Sequence, residues 1–297
     1  MRRSRFNIGF SAALSLLAAA VIADAASSVE ELPQITIEAR RRDIEHSVHE
    51  FVAHLPALSG DESLARWQTP ICPLVAGLPR AQGEFVLTRL SEIATAAGTS
   101  LAARHCQPNF VVVVTSDPVE LLKGWVARDT YRNLFGDTGV VRVKGFINTP
   151  RPVRVWYNDQ SVGANGSIVM PDSSPVAGAQ SSGLNVNQFA DATRLAANAV
   201  WAISSVIEVV DAGRMKGLKF GQMADYVAMA GLAEFNFDVN VGTAPSILRL
   251  FEASSQPAPA GLSAWDTAYL KGLYHVQQSS PLQTGLIMQS MVRDIDH

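Results

Sequence analysis

The chain has 297 residues, of which 47% are hydrophobic and 17% are charged. This composition is typical of a globular protein with a substantial core and excludes a disordered chain. The formal net charge is −3, and a chain without a surplus of basic residues is not expected to bind nucleic acid.

The N-terminus has the features of a secretory signal peptide. Three arginines within the first five residues precede an apolar run over residues 10–23, and small residues follow up to Ala25. We predict cleavage after Ala25, which removes residues 1–25 and exports the protein to the periplasm or the medium. A retained signal anchor is the alternative, but the run is shorter than the roughly 20 apolar residues that span a bilayer. No later stretch is apolar enough to predict a membrane span after cleavage.

The two cysteines, Cys72 and Cys106, both lie in the predicted mature protein. An oxidising compartment favours their pairing, and neither belongs to the Cys-x-x-Cys pattern of thioredoxin-like redox sites. We therefore predict a structural disulfide between Cys72 and Cys106.

The first region after the signal peptide, residues 26–59, is predicted to be an arm followed by an amphipathic helix. Residues 34–38 alternate between polar and apolar, as in a strand or an extended arm. Apolar residues at helical spacing follow and predict the buried side of the helix: Ile44, Val48, Phe51, Val52 and Leu55.

Residues 60–297 are predicted to form a single domain that begins with an α/β unit. A helix is predicted over residues 80–97, with Gly98 at its C-cap. The β-branched run over residues 110–114 predicts a buried strand. A turn with capping residues then leads into a helix over residues 118–125.

The middle of the chain predicts three more strands and a long loop. The strands are predicted over residues 140–146, 153–157 and 204–210. Residues 158–185 are rich in Ser, Gly, Asn and Pro, which predicts a surface loop of a length that is often functional.

The last third of the chain is predicted to be rich in helices. The strongest prediction is a buried helix over residues 220–235, because apolar residues surround nearly its whole circumference. Shorter helices are predicted over residues 246–252, 264–274 and 282–292. The predicted fold class is therefore α+β, with a mixed sheet, several packed helices and a helix-rich C-terminal third.

Four segments resemble a family of exported proteobacterial proteins of unknown function. They are IEVVDA at 207–212, ADYVAMA at 224–230, PSIL at 245–248 and WDTAYLKGLY at 265–274. The similarity extends from the segment 67–79 to the C-terminus. The resemblance implies an exported protein, and it implies no particular activity.

A weaker, fold-level similarity is to zinc metallopeptidases of the zincin type. In those enzymes a strand leads through a turn into a central helix that bears His-Glu-x-x-His. In one register the segment from Gln222 to Tyr226 stands in that place, and neither end supplies an imidazole. The resemblance therefore implies that this metal site is missing, and no cofactor is expected.

The remaining candidates for metal ligands are His46, His49, Glu50 and His54. His49 and His54 are five residues apart, which places them roughly 140° from each other around a helix. They therefore cannot bind one metal ion together. His46 and Glu50 share a helical face opposite the apolar side, which predicts a solvated surface. A metal site at His46, His49 and Glu50 is the alternative interpretation.

Recognisable enzyme motifs are absent, namely the Gly-x-Ser-x-Gly elbow, the phosphate-binding loop and the dinucleotide-binding turn. Dispersed acids leave no local trace, so Asp211, Asp225, Glu208 and Glu234 are candidate acid or base groups. Asp211 follows a predicted strand, where turn capping is the competing interpretation. Asp225 lies on an apolar helix, where a buried partner such as an arginine or a backbone group would explain it.

These observations favour a non-catalytic, exported or envelope-associated protein and leave catalysis open. Trp156, Tyr157 and the loop at 158–185 are the expected contacts for a protein or small-molecule ligand of unknown identity. The alternative is a hydrolase, a degenerate relative of the zincin-type metallopeptidases.

Overall fold

The computed structural model describes residues 32–55, 63–128, 134–136, 139–163, 199–238, 240–252, 257–278, 280 and 282–296. The predicted signal peptide and its cleavage site lie outside these residues. The chain divides into a first unit that ends at Asp43 and a second that runs from Ile44 to the C-terminus. Among the described residues, no helix combines the length and the apolar character needed to cross a bilayer.

Seven α-helices and five strands form the described structure. The helices are α1 (Leu32–His54), α2 (Arg80–Ala97), α3 (Pro118–Ala127), α4 (Val140–Asn148), α5 (Phe220–Leu232), α6 (Ala264–His275) and α7 (Gln283–Asp296), with a 3-10 helix at Ile247–Phe251. The strands are β1 (Arg66–Trp67), β2 (Pro73–Ala76), β3 (Phe110–Thr115), β4 (Val153–Gly163) and β5 (Ala199–Asp211). All of these elements after β5 are helical, which confirms the helix-rich C-terminal third.

β5 is the central strand of a mixed sheet. Along one edge it pairs in parallel with β1 near its start and with β3 over its second half. β3 in turn pairs in parallel with β2. Along its other edge β5 pairs with the antiparallel β4. The predicted α+β fold with a mixed sheet is therefore confirmed.

Each face of the sheet has its own core, because successive side chains of a strand point to opposite faces. Val206 and Val210 of β5 belong to the larger core, to which α2, α5, α6 and α7 contribute. Ile207 and Val209 belong to a smaller core with residues of α3 and α4. Helices thus cover both faces, and a polar side chain in the middle of β5 is shielded from water.

The first helix begins earlier than the sequence predicts. α1 starts at Leu32, so residues 34–38 are helical and the predicted strand or extended arm there is wrong. The alternation covers only five residues, and the strong helix formers that follow from Glu38 extend the helix in both directions. The predicted apolar side is confirmed, since Val48, Phe51, Val52 and Leu55 are buried.

The predicted strand over residues 140–146 is also wrong, because this segment forms α4. Val143 and Ile147, four residues apart, are buried against the sheet, whereas Val140 and Val141 are 61% and 85% exposed. Packing of one helical face has overridden the strand preference of the β-branched residues.

β4 is longer than predicted and takes up the start of the predicted loop. Residues 158–163 continue the pairing with β5, after a shift of register between Asn158 and Asp159. The prediction of a loop is therefore wrong for these six residues. Residues 164–185 of the predicted loop lie outside the described residues.

Local signals at the helix ends are confirmed. The Asp117 side chain accepts a hydrogen bond from the backbone N–H of Glu120 (3.1 Å) at the start of α3. Gly98 ends α2 with a φ of 96°, in the left-handed region that favours glycine.

The predicted disulfide is confirmed and joins Cys72 to Cys106. The bond holds together the chain segments that enter β2 and β3. Asn109 adds to this junction, because its side-chain oxygen accepts a hydrogen bond from the backbone N–H of Cys72 (2.7 Å) and its own N–H donates to the Cys72 carbonyl (3.1 Å).

Candidate functional site

Asp211, a candidate catalytic acid, lies at the end of β5 and organises the turn that follows. One carboxylate oxygen accepts hydrogen bonds from the backbone N–H groups of Gly213 (2.9 Å) and Arg214 (3.3 Å). The other lies 3.5 Å from the Arg214 guanidinium. These contacts match the turn-capping interpretation.

Asp225, the other catalytic candidate, is buried on α5 and is fully engaged. Its Oδ1 accepts a hydrogen bond from Nε of Arg89 on α2 (2.5 Å), and its Oδ2 accepts one from the backbone N–H of Leu262 (2.7 Å). A partner of the expected kind therefore explains this acid. Asp211 and Asp225 share no hydrogen-bond partner and belong to different parts of the fold.

The candidate metal ligands lie on the exposed face of α1. His46 Nε2 is 3.4 Å from a carboxylate oxygen of Glu50, and both side chains are exposed, as is His49. His54 bonds through Nδ1 to the Glu50 carbonyl (2.6 Å). Within the described ranges, no group of three or more His, Cys, Asp or Glu side chains could hold a metal ion.

The helix compared with the zincin motif, α5, uses its polar residues for hydrogen bonds within the fold. The Gln222 side-chain oxygen accepts a hydrogen bond from the backbone N–H of Lys219 (2.8 Å), and its amide donates to the Pro259 carbonyl. Tyr226 is buried and packs edge-on against Phe251, with 4.8 Å between the ring centroids.

Glu208, another candidate acid, is fully buried in the middle of β5. It lies on the face of the sheet toward α5, where a Cβ on Gly231 would be 2.7 Å from its Oε1. Neither carboxylate oxygen has a hydrogen-bond partner in the described part of the chain. Burial raises the pKa of Glu208 well above its ordinary value, so we infer that the carboxyl group is neutral. It lines neither of the two clefts beside β4.

A cleft of about 500 Å³, the β4 cleft, runs beside the edge strand of the sheet. One wall comes from α4 and the turn after it, and the other comes from the segment after α5. The lining residues are Arg142, Gly145, Phe146, Thr149, Arg151, residues 154–157 and residues 234–238. The predicted ligand contacts Trp156 and Tyr157 both lie here.

Aromatic and basic side chains meet on the α4 side of the β4 cleft. The Arg142 guanidinium lies 4.8 Å from the centroid of the Trp156 ring, within the range of cation–π attraction. Phe146 packs edge-on against the same ring, with 5.2 Å between centroids. Tyr157, whose side chain belongs to the opposite core, donates a hydrogen bond to the Ala230 carbonyl (2.5 Å).

Arg154 is a buried cation in the wall of the β4 cleft. It is 4% exposed, and its Nε has no hydrogen-bond partner in the described structure. Its one hydrogen bond within these residues runs from Nη1 to the Arg151 carbonyl (3.3 Å). Burial lowers the pKa of Arg154, because water no longer stabilises the charge.

Glu234 is an acid of the β4 cleft whose pKa is raised. Burial raises the pKa of Glu234 to about 7, and the negative charge of Asp159 acts in the same direction. Its Oε2 is buried without a hydrogen-bond partner among the described residues. The carboxyl group is therefore divided between its neutral and charged forms near neutral pH.

No family model, curated protein or solved structure matches this chain. Assignment of a site therefore rests on the geometry of the β4 cleft. It combines a concave surface, an aromatic wall, unpaired polar groups and an acid with a raised pKa, which together are typical of a binding or active site.

A second cleft of about 530 Å³ adjoins the first and shares its wall from Phe235 to Asp238. An ion pair between Arg151 and Asp238 stands at the shared wall, and the Arg151 guanidinium lies 5.9 Å from the centroid of the Phe237 ring. The two clefts therefore meet at a polar and aromatic boundary.

Trp156, Tyr157 and Glu234 are candidates that the sequence predicts, whereas the sequence does not predict Arg142 or Arg154. The sequence predicts a strand over residues 140–146, whereas Arg142 lies over Trp156 only because this segment forms the helix α4. The one sequence signal for Arg154 is its position between the apolar residues Val153 and Val155. This alternation of apolar and polar residues predicts a solvated arginine when one face of the sheet is open to water.

Proposed function

We propose that the protein is an exported, non-catalytic binding protein that holds an extended polypeptide segment along the edge of β4 that pairs with no described strand. The observation that carries the proposal is that four consecutive residues, 154–157, line one cleft. Alternate side chains of a strand point to opposite faces, so a cleft that touches consecutive residues must lie along the strand's edge.

The hydrogen bonds of β4 identify the backbone groups that face this cleft. The Pro152 carbonyl accepts a hydrogen bond from the N–H of Asp211 (2.9 Å). The Asn158 carbonyl accepts one from the Ser204 hydroxyl (2.7 Å). Both carbonyls therefore face β5, as do the even-numbered positions between them, because successive residues alternate. Val155 directs its N–H and C=O to the other side, toward the cleft.

An extended peptide satisfies such an edge. In the described ranges, no backbone-to-backbone hydrogen bond joins the outer side of β4 to another segment. A peptide that adds a strand there gains main-chain hydrogen bonds, and the side chains of the cleft supply specificity. The walls of the cleft, from α4 and from residues 234–238, flank this edge.

Export is the second part of the proposal. The signal-like residues 1–25, the Cys72–Cys106 disulfide and the resemblance to exported proteobacterial proteins support a periplasmic or secreted location.

The binding function is tested with a fluorescein-labelled pool of random-sequence peptides and purified protein. We expect saturable fluorescence anisotropy, and no binding of the same pool after N-methylation of its backbone. V155P removes the outward N–H but leaves the bonds between β4 and β5, so it should weaken binding about tenfold or more. V155A keeps the N–H and is the matched control. Absence of saturable binding, or a folded V155P with unchanged affinity, contradicts the proposal.

A hydrolase is the second candidate, and Glu234 is the observation that favours it. A carboxyl group with a pKa of about 7 in a cleft can act as a general acid or base near neutral pH. Mass spectrometry of the same peptide pool after incubation should then show cleavage that is lost in E234Q. If the peptides remain intact after incubation with the wild-type protein, the hydrolase function is contradicted and only the binding function remains.

A further inference from the structure

The β4 cleft contains a buried positive charge that forms no ion pair with a side chain of the described structure. Arg154 forms no ion pair within the described residues, although it is 4% exposed. A buried charge without a partner is costly, whereas exposed arginines elsewhere on the molecule are solvated. Its Nε is enclosed by protein atoms and has no hydrogen-bond partner among the described residues, and Arg154 is one of the residues that line the cleft.

The nearby acids are already engaged or partly neutral. Asp211 acts on the charge of Arg154 but is held by Arg214 and by two backbone N–H groups. Asp238 pairs with Arg151. Glu234 is divided between its neutral and charged forms near neutral pH because of its raised pKa.

A second arginine approaches from the opposite wall. Arg142 is exposed, and its guanidinium is stacked over Trp156, with no hydrogen bond or ion pair to a described residue. Because Arg154 and Trp156 are two positions apart on β4, their side chains leave the strand on the same face. Arg142, Arg154 and Trp156 therefore all line the same cleft.

We propose that Arg154, Arg142 and Trp156 form a subsite for an anionic group, a carboxylate or a phosphate, carried by a side chain of the bound peptide. This inference rests on the proposed peptide-binding function and adds the chemistry of one ligand position to it. The buried guanidinium of Arg154 adds an unpaired positive charge to the cleft wall, and the exposed, planar guanidinium of Arg142 can meet two oxygens of such an anion. The exposed guanidinium of Arg142 closes over the anion from α4.

The test compares labelled peptide pools that differ at one fixed central position, which is Glu, Gln, phosphoserine or Ser. We expect the Glu pool to bind about tenfold or more tightly than the Gln pool, because hydrogen bonds to charged groups are the stronger ones. Comparison of the phosphoserine and Ser pools shows whether phosphate is accepted as well. The preference for the anionic pool should disappear in R154Q and R142Q and should persist in R80Q, which changes an exposed arginine of α2 outside the cleft.

R142Q keeps the test decisive if R154Q does not fold, because Arg142 is exposed. Equal affinity of the wild-type protein for the Glu, Gln, phosphoserine and Ser pools overturns the anion subsite and leaves the peptide-binding function intact. If no pool binds, the peptide-binding function fails, and benzoate and benzamide then probe the subsite directly. A rise in Tm with benzoate alone, lost in R142Q, supports the subsite, and no rise overturns it.

Discussion

Gly231 of α5 lies so close to Phe110 of β3 that a Cβ atom on the glycine would be 2.0 Å from Cζ of the phenylalanine. The same Cβ would be 2.7 Å from Oε1 of Glu208. The absence of a side chain at this position therefore sets how closely α5 approaches the centre of the sheet.

Replacement of this glycine should destabilise the protein. We expect G231A to lower the free energy of unfolding by about 1–3 kcal/mol or more, because helix and strand must separate to admit the methyl group. G221A on the same helix is the matched control, since a Cβ there meets nothing within 4 Å and should stabilise the helix by up to about 1 kcal/mol. Urea denaturation measures both. Equal effects of the two substitutions would show that α5 moves freely against β3.

The ion pair between Arg89 and Asp225 should contribute to stability. D225A leaves the Arg89 guanidinium and the Leu262 N–H without their acceptor, so we expect a loss of about 1–3 kcal/mol in unfolding free energy. R89M should cost at least as much, because it leaves the Asp225 carboxylate, whose side chain is only 8% exposed, without its cation. E92Q removes the exposed partner of the same arginine and should have almost no effect. Loss of peptide binding without loss of stability in D225A would instead make Asp225 a functional residue.

Glu208 should make stability fall as the pH rises. Its folded-state pKa is raised by burial, so the unfolded chain ionises near pH 4.3 while the folded protein keeps the proton. The contribution is complete below the unfolded pKa and is lost at about 1.4 kcal/mol per pH unit until the folded pKa is reached.

E208Q removes this dependence because its amide does not titrate. Urea denaturation at pH 5 and pH 8 should show that the variant gains stability relative to the wild-type protein at the higher pH. The difference between the two proteins cancels the titration of groups that they share, Glu234 included. A constant difference across this range would mean that Glu208 is ionised in the folded protein.

The disulfide should stabilise the protein by constraining the unfolded chain. Cys72 and Cys106 are separated by 34 positions, and loss of such a loop closure costs about 2–4 kcal/mol in the chain-entropy treatment. The double substitution C72S/C106S should show this loss in urea denaturation. A reducing agent should destabilise the wild-type protein and leave the double variant unchanged. An effect of the same size on both would assign it to another cause.

The sequence predicts elements well where one segment carries the whole signal. The β-branched run of β3, the cap at Asp117 and the glycine at the end of α2 each act within a few residues of the chain, and each prediction is confirmed. α4 shows the limit. Its valines favour a strand locally, and only the position of Val143 and Ile147 against the sheet makes them helical.

The candidate site depends on contacts between distant segments, which a pattern in one segment does not specify. Arg142 of α4 contacts the ring of Trp156 on β4, and Glu234 follows both β5 and α5 in the chain. The burial of Arg154 follows from the second helical layer over the sheet. The strand that carries Trp156 and Tyr157 could be predicted from the sequence, but the cleft along its edge could not.

The position of β5 in the sheet also has a consequence for the order of folding. β1, β3 and β4 all precede β5 in the chain, and each pairs with it. A chain that emerges N-terminus first therefore carries three strands with an unmet edge until residues 199–211 arrive. Phe110 of β3 pairs with Val206 of β5, so the chain must extend to residue 206 before this pair can form. The Cys72–Cys106 bond can close before that point, and it then holds β2 and β3 together while they wait for the central strand.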